Sequence, residues 1–336
     1  MAYITDVARE AGVSIATVSR VLADAGYPVR AETRQRVLEA AERLRYTPNG
    51  LGRSLRVGRS TAIGVCATTF NNPTAVAAVE GIIRACRVVN RHVQTTTTFS
   101  DAGDEEVYLD LFLRERVAGV ISFPSGAPAA AYQRLQQRES PVVLLNRRVP
   151  GLVAPVVRHD FAGGYAQALE WLAARGHRRI GALLPRDLSH WAELAVAWSA
   201  AFERLGLEPQ PDLVRHVGPA PTTEDTHQVV SELLTRPAPP TALFAATAVS
   251  TLVALRAIQT ATQPSLHNVA LVGTGDRRWE LLFPPTVPFV CLDSFGLGTT
   301  AANILNDLID GNRDVQSDAE VPIAVSFVDT ALAGGI

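Results

Sequence analysis

The first 22 residues contain two short amphipathic runs that meet at Gly12-Val13. Each run repeats apolar residues at the spacing of one helix face. These residues are Ile4, Val7, Ala8 and Ala11 in the first run, and Ile15, Val18, Val21 and Leu22 in the second. Thr5 and Ser14 are the expected N-caps. Two helices joined by a tight glycine turn predict a helix-turn-helix, whose second helix enters a DNA major groove. From spacing alone, a hairpin that only packs is the alternative.

The next segment predicts a third amphipathic helix, from about residue 31 to 44, after a turn built on Gly26 and Pro28. The three helices would form a small all-α head over residues 1–47. Residues 48–59 begin with Pro48 and Asn49, which favour the start of a short helix, and contain Gly58, which favours its end. We therefore expect a helical linker there.

From Thr61 onward, strand-like apolar runs alternate with helical patterns. The runs cover 62–67, 92–97, 119–123, 142–145, 179–184, 242–246, 269–273 and 289–292. The helical patterns cover 76–89, 105–116, 163–175, 190–205, 226–234, 250–260 and 297–309. Such alternation is typical of parallel sheets flanked by helices. Eight strands fit two lobes better than one sheet, and a cleft between lobes is a natural ligand site.

Charge separates the head from the rest of the chain. Residues 1–60 contain ten arginines and six acidic residues, a net charge of +4, which leaves −6 for the remainder of a 336-residue chain whose total is −2. A basic head on an acidic body fits a nucleic-acid-binding module attached to another function.

The remaining composition indicates a cytoplasmic protein. No apolar run is long enough to span a membrane, and the first residues show no secretory signal pattern. Cys66, Cys86 and Cys291 are scattered and lack metal-ligand spacing, so we expect buried thiols in a reducing compartment. We expect neither a metal nor a cofactor.

Three ordered motifs run through the head and linker: Asp6-Val-Ala-Arg-Glu-Ala-Gly-Val-Ser-Ile-Ala-Thr-Val-Ser-Arg-Val21, Glu32-Thr-Arg-Gln-Arg-Val37, and Tyr46-Thr-Pro-Asn49 with Arg53-Ser-Leu55. The body adds weaker motifs, among them Arg175-Gly-His-Arg-Arg-Ile180. With these, essentially the whole chain resembles the lactose/galactose-repressor (LacI/GalR) family of bacterial transcription regulators. The resemblance implies an α/β chain: an all-α helix-turn-helix head, then a two-lobed body, similar to periplasmic binding proteins, with parallel sheets.

For the head, the resemblance implies that Ile15 and Ala16 read bases by apolar contact with thymine methyl groups. It places Arg20 beside them, where a guanidinium can hold guanine through two hydrogen bonds. Phosphate contacts would fix the register without reading sequence. The other expected DNA contacts of the helical head are Ile4, Thr5, Ser14, Thr17, Ser19 and Thr33.

The linker resembles the family's hinge helix, which forms on DNA and lies in the minor groove, with Asn49, Gly52 and Arg53 among its expected contacts. Leu55 matches the leucine that serves there as a wedge between base steps. Alanine is common in the family where this chain has Gly50 and Gly52, and each glycine costs a helix about 1 kcal/mol. We expect a hinge that is disordered until it meets the operator.

For the body, the resemblance implies a homodimer that binds a near-palindromic operator and whose DNA affinity a small metabolite modulates. The metabolite would be a sugar, a sugar acid or a related compound, and repression is the family's commoner mode. The expected first lobe is about 60–157 plus 289–317, and the second is 158–288 plus 318–336. Lobe-one pairing would form the two-fold dimer.

Many polar residues by which sugar-binding members hold their effector are absent. Thr74 and Ala75 replace an aromatic pair, and Leu194 stands where an arginine is expected. One hypothesis is a different, smaller or anionic ligand. The other is a degenerate sensor that responds to a protein partner or to no ligand. The candidate effector-binding residues are Asn71, Asn146, Arg147, Arg186, His190, Trp191, Thr247 and Asp276.

Two other classes of protein fit the sequence poorly. An enzyme is disfavoured because Gly273-Thr-Gly-Asp-Arg-Arg278 lacks the third glycine of a dinucleotide motif and no nucleophile elbow occurs. His159-Asp160 resembles a catalytic pair, but adjacent residues on an extended segment point apart, so we expect no catalysis. An extracytoplasmic binding protein is disfavoured by the basic head.

Overall fold

A computed structural model describes the chain apart from residue 1 and residues 24–28, 47–59, 186–188, 209, 218–222, 262–266, 277, 279–286, 315–319 and 330–336. The chain divides into two compact units, residues 1–60 and residues 61–336. The first is helical and the second is α/β with two sheets. The predicted fold class is confirmed.

The first unit contains three helices: α1 (Ile4–Ala11), α2 (Ile15–Ala23) and α3 (Ala31–Arg43). A left-handed residue, Gly12 at φ +64°, ends α1, and the Val13 N–H then donates to the Ala8 carbonyl at 3.0 Å. Glycine adopts this conformation without a Cβ penalty, so it allows the tight turn between α1 and α2.

The two predicted helix caps have different outcomes. Ser14 caps α2 as expected, since its hydroxyl accepts the Thr17 N–H at 3.1 Å. The expectation for Thr5 is wrong, because α1 already begins at Ile4 with Tyr3 as its N-cap residue. The Asp6 carboxylate accepts the Tyr3 N–H at 2.9 Å and thereby starts the helix one residue before Thr5.

The head has a small aliphatic core shared by all three helices, with Val7, Val18 and Val37 fully buried. An ion pair between Arg43 and Glu10 at 3.4 Å connects α3 to α1 at the surface. These contacts align one face of each helix inward and leave the opposite face exposed.

The second unit contains two six-stranded sheets. The first has the order β11-β5-β4-β3-β1-β2 and the second has the order β12-β10-β9-β8-β6-β7. The strands are β1 (Ala62–Ala67), β2 (His92–Thr97), β3 (Gly119–Ser122), β4 (Val142–Leu145), β5 (Val156–His159), β6 (Ile180–Pro185), β7 (Val214–Val217), β8 (Ala242–Ala245), β9 (Ala270–Asp276), β10 (Phe289–Leu292), β11 (Glu320–Ile323) and β12 (Ser326–Val328). Only the β10–β12 pair is antiparallel among the described strands.

Helices cover both sheets, as expected for parallel strands. They are α4 (Pro73–Val88), α5 (Ala102–Glu115), α6 (Ala129–Gln136), α7 (Phe161–Ala174), α8 (Ser189–Arg204), α9 (Thr223–Leu234), α10 (Ala248–Gln259) and α11 (Ser294–Asp310), with a short 3₁₀ turn at Pro211–Leu213. In the first lobe α4 and α11 pack backbone to backbone. A Cβ on Gly298 would lie 1.9 Å from the Ala78 carbonyl oxygen.

The chain passes between the lobes after β5, after β10 and after β11. This corrects the expected division in two places. Strand 289–292 belongs to the second sheet, because Val290 pairs with Thr274 of β9. Strand 320–323 belongs to the first sheet, because Val321 pairs with Val157 of β5. A strand's own sequence pattern does not reveal which sheet supplies its neighbour.

Two further expectations concern side-chain and helix chemistry. Cys66, Cys86 and Cys291 are all buried, as expected. Among the described residues, every helix is too short or too polar to cross a lipid bilayer.

Candidate functional site

The exposed face of α2 is the candidate DNA-reading surface. Val18 and Val21 point into the head core, so residues on the opposite face point outward. Ile15 is 44 % exposed, which argues against its packing as a core residue. Ala16 and Arg20 are also exposed. The helix therefore presents two apolar side chains and one cation on one surface.

A hydroxyl pair lies at the start of α2. The Ser14 hydroxyl accepts the Thr17 N–H, and the Ser14 Oγ lies 2.9 Å from the Thr17 Oγ1. Because one hydroxyl donates to the other, a single O–H hydrogen of the pair is left to donate elsewhere. That hydrogen could reach a phosphate oxygen. The other expected phosphate contacts, Thr5, Ser19 and Thr33, are exposed or half-buried, and Ile4, expected only as a DNA contact, is half-buried.

The hinge predictions fall outside the described part of the chain. They concern Asn49, Gly52, Arg53 and Leu55. Their roles stay predictions from the sequence.

In the second unit, the carboxyl ends of both sheets face one open cleft of about 110 Å³. Crevices at the carboxyl ends of parallel strands are the usual ligand sites of α/β folds. The lining residues are Thr68, Asn72, Thr74, Ala75, Phe123, Asn146, Arg147, His159, Phe161, Ala246, Thr247, Ala248, Thr274 and Leu292. Both lobes contribute to this list.

Three of the predicted effector residues line the cleft: Asn146, Arg147 and Thr247. Arg186 falls outside the described residues, and the side chains of His190 and Trp191 on α8 do so as well. The structure thus brings three of the eight predicted effector residues together at the cleft. That they bind an effector stays a prediction.

Asn71 and Asp276 do not line the cleft. Asn71 is exposed on the turn before α4, where its N–H donates to Thr69, and the next residue, Asn72, faces the cleft instead. The Asp276 side chain is buried and accepts the N–H groups of Arg278 and Ser294, both at 3.1 Å. Its two oxygens therefore hold backbone at the end of β9 and the start of α11.

Arg147 brings a positive charge to the cleft wall. It follows β4, and its Nη1 donates to the Pro124 carbonyl at 2.6 Å. Burial lowers the pKa of the Arg147 guanidinium to about 10, although the Glu105 carboxylate acts in the opposite direction. The group stays protonated at neutral pH, so the wall carries a partly desolvated cation.

The Glu105 carboxylate is fully buried behind this wall. It accepts the N–H groups of Ser125 and Ala127 at 2.8 Å, and the hydroxyls of Ser122 and Tyr132. These bonds hold the loop after β3, which carries the carbonyl that orients Arg147. Glu105 is therefore a positioning residue for the cleft.

His159 ends β5 and is 1 % exposed. Its backbone N–H donates to the Asn146 side chain at 3.1 Å, and its ring meets the Phe161 ring edge-on at 5.5 Å. Within the described part of the chain, neither ring nitrogen has a hydrogen-bond partner. Burial lowers the pKa of His159 to about 4, so the ring is neutral at physiological pH.

The second lobe contributes two threonines to the opposite wall. Thr247 caps α10, and its hydroxyl is already bonded to Ser250. Thr274 on β9 is 1 % exposed, and its hydroxyl has no partner among the residues that the structure describes. Its backbone is held by Thr251 at 2.9 Å.

Sequence reasoning missed His159 and Thr274 as cleft residues. The available signal was position, because both lie at or near the carboxyl end of a predicted or observed strand. In the described residues, no cluster of three or more histidine, cysteine or acidic side chains is arranged to hold a metal ion.

Comparisons with known proteins cover both units. The model of bacterial regulatory proteins of the lacI family matches residues 3–49. The model of periplasmic binding proteins and the sugar binding domain of the LacI family matches residues 60–325. Among curated proteins, the HTH-type transcriptional repressor PurR of Shigella sonnei is 27% identical over 325 residues, which are 96% of this chain and 94% of that protein.

Solved structures of similar architecture cover nearly the whole chain. The transcriptional regulator CelR in complex with cellobiose is 25% identical, with a TM-score of 0.70 and 98% coverage of both chains. The Lac repressor dimer bound to operator and the anti-inducer ONPF is 23% identical, with a TM-score of 0.82 and 97% coverage of both chains. The second likeness concerns the fold alone.

Proposed function

Because the chain belongs to the LacI family of bacterial regulatory proteins, we propose that it represses transcription by binding a near-palindromic operator as a homodimer. A small metabolite in the interlobe cleft modulates the affinity. The observation that carries the proposal is the helix pair joined at Gly12, which buries Val18 and presents Ile15, Ala16 and Arg20 outward.

The exposed face of α2 supports a specific mode of reading. Arg20 holds a guanine through O6 and N7, and Ile15 and Ala16 contact thymine methyl groups. The Ser14–Thr17 pair and its neighbours on the surface bind phosphates and set the register. With one strong hydrogen-bonding contact per head, the remaining specificity comes from DNA shape and from the Leu55 wedge.

Exposed apolar side chains support a dimer formed by the first lobes. Val76 and Ile83 on α4 are both exposed and lie seven residues apart, which places them on one face of the helix. A two-fold dimer positions two heads over two half-sites, so the operator mirrors the symmetry of the protein.

The cleft supports the sensing role because both lobes line it and the chain passes between the lobes three times. A ligand that contacts both walls favours one angle between the lobes. Such a ligand changes DNA affinity only as far as it binds the two states differently. CelR was solved with cellobiose, and we propose a metabolite at the corresponding place here.

The remaining proposals follow from this role. We assign residues 1–47 to DNA binding, 48–59 to the hinge, and 60–336 to dimerisation and effector binding. The protein acts on chromosomal DNA in the cytoplasm and catalyses no reaction. The curated relatives are regulators rather than enzymes, which supports the last point.

The test is a gel-shift titration of the full chain on DNA from upstream of its own gene, at a stated salt concentration, because phosphate contacts make the affinity salt-dependent. We expect Arg20→Ala to weaken specific binding about tenfold or more, since a bidentate contact is worth roughly 1–3 kcal/mol. Arg36→Ala, which removes an equal charge from the exposed face of α3, is the control. Equal binding of unrelated DNA would contradict the proposal.

A further inference from the structure

The cleft lining is unbalanced in charge. Arg147 is its cation, and no carboxylate occurs among the lining residues that the structure describes. The nearest buried carboxylate, Glu105, is already saturated by two hydroxyls and two backbone N–H groups. A desolvated cation without an ion-pair partner is costly to maintain. The cleft is therefore complementary to one negative charge.

The donors of Arg147 point to the same conclusion. Its Nη1 donates to the Pro124 carbonyl, and no other hydrogen bond of its guanidinium occurs within the described residues. A guanidinium has further N–H groups arranged as a fork that fits two oxygens of one carboxylate. The bond to Pro124 orients the Arg147 guanidinium and leaves its other N–H groups available to a ligand.

Two buried polar groups also lack partners. His159 and Thr274 line the cleft, are 1 % exposed, and have side-chain atoms without hydrogen bonds in the described part of the chain. A buried polar group without a partner destabilises the fold. Neutral imidazole and hydroxyl groups both donate and accept, which is the pattern that a ligand hydroxyl requires.

We propose that the cleft binds a small hydroxy-carboxylate, whose carboxylate is held by Arg147 and whose hydroxyl is held by His159 and Thr274. This rests on the proposed role of the cleft as the effector site and narrows the ligand to a chemical class. Arg147 and His159 belong to the first lobe and Thr274 belongs to the second, so a ligand held by all three joins the lobes.

A carboxylate fits better than a phosphate ester because the lining residues that the structure describes include one cation, Arg147. The nearby helix starts add little, since the Thr74 N–H already donates to Asn72 and the Ser250 N–H to Thr247. A phosphate near neutral pH carries up to two charges and uses several donors. One arginine neutralises a monoanion.

The experiment measures the melting temperature of the full chain with matched pairs of compounds. The pairs are D-gluconate and D-glucitol, D-glycerate and glycerol, and D-galacturonate and D-galactose, with glycerol 3-phosphate and D-glucose 6-phosphate as the phosphate arm. A ligand that binds only the folded protein raises the melting temperature. We expect a carboxylate to raise it and its neutral partner to leave it unchanged.

Variants then connect the shift to the cleft. Thr274→Val removes a hydroxyl that has no protein partner, so the fold should survive, and we expect about tenfold weaker binding of the active carboxylate. Arg147→Gln should weaken it about ten- to a hundredfold, since a charged hydrogen bond is worth about 1.5–3 kcal/mol. Arg148→Gln is the control, because Arg148 lies outside the cleft and pairs with Glu320 at 3.4 Å.

The outcomes separate this inference from the proposed function. If a neutral sugar or a phosphate ester raises the melting temperature and no carboxylate does, the ligand class is wrong while the sensing role stands. If no compound shifts it, or if Thr274→Val and Arg147→Gln bind the carboxylate as tightly as the unaltered chain, the inference is overturned. Operator binding by the unaltered chain, measured separately, decides the proposed function.

Discussion

His159 should make the free energy of unfolding of the body fall as the pH falls, and replacing this histidine with phenylalanine should remove that effect. Its ring is buried, its pKa is lowered from 6.5 to about 4 by burial, and its nitrogens have no partner among the described residues. Among the described residues, Asp276 and Asp293 face it. Their carboxylates, with the Asp293 carbonyl that lies outside hydrogen-bonding geometry, raise the pKa of His159 less than burial lowers it.

The direction follows from proton binding. Between pH 6.5 and pH 4 the unfolded chain protonates this histidine and the folded chain does not, so the free energy of unfolding falls as the pH falls. The full loss is about 3 kcal/mol, because each unit of pKa difference is worth about 1.36 kcal/mol. At pH 5, where the unfolded histidine is almost fully protonated and the folded one is not, the loss is about 2 kcal/mol.

The assay is urea unfolding at pH 7.5 and pH 5.0, followed by tryptophan fluorescence. All four tryptophans lie in residues 61–336, so the signal reports the body alone. His159→Phe should lose about 2 kcal/mol less than the unaltered chain between the two pH values, and it should be at least as stable at pH 7.5, because it removes a desolvated polar group.

His159→Gln separates titration from packing, since glutamine is polar and does not titrate. It should lose the same pH dependence as His159→Phe without the gain at pH 7.5. If the unaltered chain and both variants lose equal stability between pH 7.5 and pH 5.0, then His159 is not a buried neutral group, and its assigned place in the cleft is wrong.

Three further predictions concern the fold and the head. Gly298→Ala should destabilise the body by about 3 kcal/mol or more in urea unfolding, because its Cβ would lie 1.9 Å from the Ala78 carbonyl oxygen. Gly311→Ala, at φ +75° with open space around it, should cost only about 1 kcal/mol, and equal costs would refute the close-approach argument. Ser14→Ala should lower hydrogen-exchange protection of α2 by about 1 kcal/mol through loss of its cap, and unchanged protection would show that the cap does not stabilise the helix. Gly52→Ala should tighten operator binding up to about fivefold by favouring the hinge helix, and unchanged or weaker affinity in a titration would count against it.

The sequence predicts the backbone elements well where burial is continuous. The runs that became β1, β4, β8 and β10 are apolar along their whole length, and each is buried as a strand within a sheet. It predicts the polar strand β2 but misses β5, β7, β11 and β12. The strand β11 has an exposed and half-buried alternation, and only its pairing with β5 makes it a strand of the first sheet.

The cleft is less predictable because a one-residue shift along a turn changes which side chain faces it. Asn71 and Asn72 are chemically identical neighbours, yet only Asn72 lines the cleft. Asp276 has the chemistry of a ligand-binding residue but binds backbone N–H groups. The ring nitrogens of His159 and the hydroxyl of Thr274 single these residues out because they lack hydrogen-bond partners among the described residues. A sequence does not show which side-chain atoms lack partners.

The most direct test of the central claim is selection of bound DNA from a pool of random duplexes by the full chain, followed by sequencing. The account predicts enrichment of a near-palindrome whose two half-sites each contain a guanine that Arg20→Ala no longer selects, since a bidentate arginine contact specifies that base. Recovery of sequences no different from the input pool, at a salt concentration that suppresses nonspecific binding, would contradict the account.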